Sequence, residues 1–137
     1  MILYTSDIDI SEKVAKTAFT YLIISIFCVF FGAVYEVFSH EVYSFYMIYA
    51  FAFPLLGGTF PFLMMHVRHC SKYPCTVSRN LYHSGIAALT VGSIVRGILE
   101  IYGTTNHLSQ LYWYVGMVFI LTGGVIFWMQ NKIIVRK

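Results

Sequence analysis

The chain has 137 residues, of which 58% are apolar or aromatic and only 11% are charged, whereas a soluble domain carries about 25% charged residues. Lys and Arg number 9 against 6 Asp and Glu, so the formal net charge is +3. This composition excludes a soluble globular domain, a disordered chain and a nucleic-acid-binding protein. It predicts an integral membrane protein whose main partner is the lipid bilayer.

Four apolar stretches are each long enough to cross a bilayer, which takes roughly 20 helical residues. They are predicted at residues 14–38, 43–67, 80–102 and 111–130, within a single domain that spans residues 1–137. The connections between them are short, and short connections make successive helices antiparallel neighbours. The sequence therefore predicts an all-α, polytopic membrane protein, an antiparallel bundle of four transmembrane helices.

The first helix is preceded by an acidic segment that contains Asp7, Asp9 and Glu12. A secretory signal peptide has a short basic segment at this place, so we expect the first helix to persist as a membrane span. Asp9 is predicted to cap the helix, because Glu12 follows three residues later in the capping-box position.

The basic residues indicate how the chain is oriented. Eight of the nine are predicted on one side of the membrane, and the positive-inside rule makes that side cytoplasmic. Both termini are then cytoplasmic, in a multi-pass protein of the cell membrane, with a bacterial plasma membrane as the expected location. The eight residues are Lys13, Lys16, Arg68, Lys72, Arg79, Lys132, Arg136 and Lys137.

The second helix contains helix-breaking residues near its centre. Pro54 and Pro61 flank the pair Gly57 and Gly58. Each proline removes a helical N–H donor and crowds the preceding turn, so a kinked or locally unwound helix is expected at mid-membrane. Such discontinuous helices serve as gates and binding sites in transporters, although an ordinary proline kink satisfied by neighbouring helices explains the same pattern.

The third helix carries two charges within an apolar span, Arg96 and Glu100, and Glu36 lies at a similar depth in the first helix. An arginine at the centre of a span costs about 2.5–3.5 kcal/mol unless it is paired or solvated. We expect these three side chains to meet near the outer leaflet, either as a site for an ion, proton or polar solute, or as an ion triad that fixes the first helix against the third. Four polar residues of the adjoining outer loops are expected to widen this site: His40, Glu41, Asn106 and His107.

The inner connection holds nitrogen and sulfur ligands close together in sequence. His66, Cys70, Cys75 and His83 offer the two Cys and two His that tetrahedral zinc accepts. His66 and His83 alone offer a pair of axial haem ligands on neighbouring helices. Solvated loop side chains are the third interpretation of the same residues.

Two short segments support a resemblance. Residues 32–38 read Gly-Ala-Val-Tyr-Glu-Val-Phe at the end of the first helix, and Arg96 is followed by Gly97 in the third. In these features the chain resembles uncharacterised bacterial membrane proteins of about this size with four spans. The resemblance implies the four-span layout and transfers no function.

Three hypotheses for the function follow from the sequence. The first is transport or permeation of a small ion, proton or polar solute through the site near the outer leaflet. The second is a haem- or metal-binding membrane redox protein, and the third is an accessory subunit that docks a partner's transmembrane helix, in a homo-oligomer or a larger membrane complex. The chain has no GxSxG, HExxH, Walker or Rossmann motif, so no catalytic residue is assigned, while an enzyme that acts on lipid through Glu36 or Glu100 stays open.

Overall fold

The computed structural model describes residues 2–68 and 73–136, with the side chains of residues 2–7, 134 and 135 outside the description. The described chain is helical and contains no strand. Its main elements are α1 (Ile2–Phe38), α2 (Phe45–Ile48), α3 (Phe60–Val67), α4 (Thr76–Ile101) and α5 (Leu108–Arg136). Four helical segments are long and apolar enough to cross a membrane, at Ile8–Phe38, Phe45–Val67, Thr76–Ile101 and Leu108–Ile133. The prediction of an all-α membrane protein with four spans is confirmed at this level.

Helix α1 begins at Ile2, well before the apolar stretch. The predicted cap at Asp9 is therefore wrong, because Asp9 and Glu12 both lie inside the helix. Asp9 pairs with Lys13 at 2.8 Å, and Glu12 pairs with Lys16 at 2.7 Å. An acidic residue four positions before a basic one stabilises a helix surface, and the two pairs extend α1 through the polar segment.

The spans pack in the order in which they occur along the chain. Helix α1 packs on the second span (residues 45–67), the second span packs on α4, and α4 packs on α5. Among the described residues, no Cα atom of α1 lies within 8 Å of one in α4 or α5. Met47, only 1% exposed, packs against Gly32 of α1 and Gly97 of α4. The second span is thus the element that holds α1 and α4 together.

Hydrogen bonds and packing contacts define the two ends of the molecule. At one end, Nδ1 of His66 lies 3.1 Å from the hydroxyl of Ser11, and the backbone N–H of Cys75 donates to the Gln130 side chain at 2.9 Å. At the other end, the loop after α1 leads into the second span beside the last turns of α4. The candidate functional site lies at this second end.

The contact between α4 and α5 depends on small residues. A Cβ atom on Gly85 would lie 2.8 Å from the carbonyl oxygen of Gly116, and one on Gly123 would lie 2.9 Å from that of Ser78. Small residues allow such close approach of membrane helices. The hydroxyl of Ser78 also donates to the Gly123 carbonyl at 2.7 Å. These glycines therefore serve packing within one chain.

Candidate functional site: a polar cavity beside an irregular span

The second span departs from α-helical geometry across the segment that contains both prolines. After α2 it forms a 3-10 turn at Tyr49–Phe51 and then a π-helix at Phe53–Thr59, before α3 begins at Phe60. Wide π turns inside helices are uncommon and occur frequently at functional sites. The irregular segment lies within an apolar span, where lipid offers no hydrogen-bond partner. Its backbone groups therefore need partners from the protein.

Gly57 shows how such a partner is supplied. In an α-helix its carbonyl would accept from the N–H four residues later, but that residue is Pro61, which has no N–H. The Tyr82 hydroxyl of α4 donates to the Gly57 carbonyl instead, at 2.6 Å. An unsatisfied carbonyl in a lipid environment is costly, and this hydrogen bond therefore fastens the irregular segment to α4.

Gly58 gives space to an aromatic ring. A Cβ atom there would lie 2.3 Å from the ring of Tyr21 in α1, so a side chain at this position requires the ring to move. The Tyr21 hydroxyl is hydrogen-bonded to Nδ1 of His83 in α4. The ring of Phe62 stacks on the His83 ring, with 5.6 Å between the ring centroids. Tyr21 therefore reaches across the second span and connects α1 to α4 through a side chain.

A polar cavity of about 300 Å³ lies at the end of α4 and in the loop that follows. Arg96 and Glu100 line it, together with Asn106 and His107 from the outer loop that was expected to widen the site. Glu36 is not one of its lining residues. The remaining lining residues are Leu99, Thr104, Thr105, Ser109 and Gln110.

The two charges in this cavity are held by the second span. The guanidinium of Arg96 lies over the ring of Tyr46, 4.5 Å from its centroid, and Oε2 of Glu100 accepts a hydrogen bond from the Ser44 hydroxyl at 2.7 Å. Ser44 is buried, so this donor is fixed by packing. Within the described part of the chain, Arg96 makes no salt bridge within 4.0 Å.

The expected ion triad of Glu36, Arg96 and Glu100 is therefore not formed. One physical reason is that the second span separates α1 from α4 and offers nearer partners to both charges of α4. A second reason is that a base placed four residues before an acid is the less favourable order for pairing on a helix. Glu36 is partly buried at the end of α1, and its Oε1 atom is buried without a hydrogen-bond partner among the described residues.

The predicted metal ligands have other contacts in the described structure. Nδ1 of His66 is bonded to Ser11, and Nδ1 of His83 is bonded to Tyr21. Cys75 has a free thiol, and Cys70 lies outside the described residues. In the part of the chain that the structure describes, no three His, Cys, Asp or Glu side chains are grouped in a way that suits a metal. Zinc and haem stay predictions from the sequence.

Three residues of the site region were not identified from the sequence: Ser44, Tyr46 and Tyr82. Nothing in the local sequence distinguishes Ser44 or Tyr46 from the other polar and aromatic residues around them. The spacing of Gly57 and Pro61 predicts an unsatisfied carbonyl, but the donor that serves it comes from another helix.

In comparisons with protein-family models, with curated proteins and with solved structures, the chain has no match.

Proposed function

We propose that this chain is a small multi-pass membrane protein that binds a small ion, proton or polar solute in the outer cavity, the cavity at the end of α4, and transports it across the membrane. One observation carries the proposal. Arg96 and Glu100 line the same polar cavity, and neither neutralises the other.

The position of Arg96 supports a binding role. An unpaired arginine costs about 2.5–3.5 kcal/mol at the centre of a span. Arg96 lies nearer the end of α4, where this cost is smaller, and its contact with the Tyr46 ring offsets roughly 0.5–2 kcal/mol. Water or a solute in the cavity can supply the remaining stabilisation. Intramembrane ionisable residues that face a cavity typically mark the path of a substrate or ion.

The irregular second span is the element that we propose to move. Ser44 and Tyr46, which hold the two charges, directly precede the 3-10 turn and the π-helix. A solute that draws Arg96 from Tyr46, or Glu100 from Ser44, changes the contacts between this span and α4. In this proposal Pro54, Gly57, Gly58 and Pro61 form the flexible gate.

We further propose that the spans cross the membrane as an antiparallel bundle with both termini in the cytoplasm, which the placement of Lys and Arg supports. A reporter fused next to His107 and another fused at the C-terminus test this orientation. The two reporters are expected in opposite compartments, and the same compartment for both contradicts the proposal.

Flux measurements on reconstituted liposomes test the function. The assay follows proton, Na⁺ and K⁺ flux and the uptake of labelled alanine. Glu100→Gln and Arg96→Gln are expected to reduce flux at least tenfold, whereas Glu36→Gln is the matched control, because Glu36 does not line the cavity. Equal flux in wild type and both cavity variants removes this site from the mechanism.

A second candidate, an accessory subunit of a homo-oligomer or larger complex, is favoured by the position of α5. In the described structure its backbone packs on α4 alone, so its outer surface is available to lipid or to another transmembrane helix. Purification in a mild detergent tests this candidate. A stoichiometric second protein, or a stable oligomer, supports it, and a monodisperse monomer speaks against it.

A further inference from the structure

The outer cavity contains opposite charges that the protein keeps apart. Arg96 and Glu100 are four residues apart on α4 and line one cavity, yet they form no salt bridge. Asp9 with Lys13, and Glu12 with Lys16, have the same spacing on α1 and pair at 2.8 and 2.7 Å. Spacing alone therefore does not explain the separation, although the order of the charges contributes to it.

Each charge has its own support at the start of the second span, counting Ser44, the residue that caps it. The ring of Tyr46 lies against the guanidinium of Arg96, and the buried hydroxyl of Ser44 holds Oε2 of Glu100. The hydroxyl of Ser93 donates to the Tyr46 carbonyl at 2.6 Å and fixes that part of the second span on α4. In the absence of solute, the two charges are thus held apart by separate contacts with Ser44 and Tyr46.

The chemistry of the two groups defines what fits. The stacked guanidinium keeps N–H donors for a carboxylate or a phosphate, which it binds with good geometry. Oε1 of Glu100 makes no hydrogen bond in the described structure and can accept one from an ammonium group. A solute that carries both groups satisfies both charges at once, whereas a simple ion leaves one of them unmatched.

The cavity is open at the loop side, where its lining residues are exposed, and its size indicates the scale of the solute. Its volume of about 300 Å³ is at the lower end of the range for small-molecule sites, roughly 300–1,000 Å³. Asn106 and His107 add polar groups at the loop side of the cavity. This space suits a molecule of the size of an amino acid or of one lipid headgroup.

We propose that the outer cavity recognises a small zwitterion, with its anionic group at Arg96 and its ammonium group at Glu100. This inference rests on the proposed function and names the class of solute. Two sources share this chemistry, a free amino acid and the ethanolamine phosphate headgroup of a lipid.

Calorimetric titration of the purified full-length protein in phosphatidylglycerol nanodiscs tests the proposal. The probes are alanine, propionate, which lacks the ammonium group, and ethylamine, which lacks the carboxylate. Alanine is expected to bind at least roughly tenfold more tightly than either, because each missing charge leaves one protein charge unmatched. Glycerophosphoethanolamine distinguishes the sources: tight binding of alanine identifies a free amino acid, and tight binding of glycerophosphoethanolamine alone identifies the headgroup.

Two variants and one control complete the experiment. Glu100→Gln is expected to abolish the preference for alanine over propionate, and Arg96→Gln to abolish binding of both. Glu12→Gln, which removes a charge of α1 outside the cavity, is expected to bind like wild type. Helix content and thermal midpoint measured on each variant confirm that it is folded.

The outcomes separate the two proposals. Propionate or ethylamine binding as tightly as alanine overturns the zwitterion assignment and leaves a cavity for simple ions, as the proposed function allows. A folded protein that binds none of the probes, and whose liposomes show no flux, overturns both.

Discussion

Met47 packs between Gly32 of α1 and Gly97 of α4, and substitution of each glycine by alanine gives a test variant and its matched control. An alanine at position 97 would place its Cβ 2.9 Å from the Met47 Cβ and N atoms and 3.2 Å from its Cα. An alanine at position 32 would place its Cβ 3.4 Å from the Met47 carbonyl oxygen and 3.7 Å from its Cγ. Non-bonded carbon atoms in favourable van der Waals contact lie about 3.5–4.0 Å apart. Only Gly97→Ala therefore forces a clash. The atoms that clash include the N and Cα atoms of Met47, which no change of side-chain rotamer can move.

The magnitude follows from two opposing effects. Overpacking of this kind destabilises by about 1–3 kcal/mol, whereas alanine is favoured over glycine inside a helix by about 0.8–1.0 kcal/mol. We therefore expect Gly97→Ala to lower the free energy of unfolding by up to about 2 kcal/mol, and Gly32→Ala to leave it unchanged or raise it by up to about 1 kcal/mol. Helix propensity affects both variants alike, and the difference of about 1–3 kcal/mol between them isolates the steric effect.

Unfolding by SDS in mixed micelles, followed by far-UV circular dichroism, measures both variants. Gly97→Ala is also expected to weaken solute binding, because it pushes α4 away from the second span and so separates Arg96 and Glu100 from Ser44 and Tyr46. Gly32→Ala is expected to bind normally. If Gly97→Ala unfolds at the same SDS fraction as Gly32→Ala, the close approach of α4 to Met47 is incorrect, and the site built on that contact fails with it.

Three further predictions concern contacts of the second span and of α5. Tyr82→Phe removes the donor to the Gly57 carbonyl and is expected to destabilise the fold in SDS titration by about 0.6 kcal/mol, the average for hydrogen bonds between membrane helices, and by no more than about 1.7 kcal/mol; an unchanged midpoint would show that the carbonyl has another partner. Gly123→Ala is expected to destabilise the contact of α5 with α4 by about 1–3 kcal/mol relative to Gly124→Ala, since a Cβ on Gly124 meets no atom within 4 Å among the described residues, and equal thermal midpoints would contradict this. Ser44→Ala is expected to lower alanine affinity severalfold in the calorimetric titration, because the freed carboxylate can then turn towards the guanidinium; wild-type affinity would show that the hydroxyl does not orient the site.

The helical spans are the part of the fold that could be predicted best. Their length and apolar composition are local properties, since a span satisfies its backbone within itself and needs only enough apolar residues to cross the bilayer. The start of α1 was predicted incorrectly, because Asp9 offers both a cap and a surface ion pair, and the nearby Lys13 favours the pair. The capping-box pattern of Asp9 and Glu12 does not by itself distinguish these two roles of Asp9.

The candidate site could be predicted only in part. The sequence indicated Arg96 and Glu100 as costly exceptions in an apolar span, and the structure places both on one cavity with Asn106 and His107. It did not indicate that Glu36 forms no ion pair with Arg96 and does not line the cavity, or that Ser44 and Tyr46 contact the two charges. Which side chain reaches a charge within a span depends on the helix that packs beside it, and helix order and rotation leave no local pattern in the sequence.

The irregular second span shows the same division. The chain by itself determined that this helix is disturbed and that a carbonyl needs a donor, because Pro61 lacks the N–H that the carbonyl of Gly57 would otherwise meet. Only the tertiary structure decided that the donor is Tyr82, that Tyr21 fills the space beside Gly58, and that two opposite charges of α4 stay apart. Helix formation and its interruption are governed by covalent structure within a few residues, whereas the partners of polar groups in a membrane are decided by the neighbouring helices that come within reach.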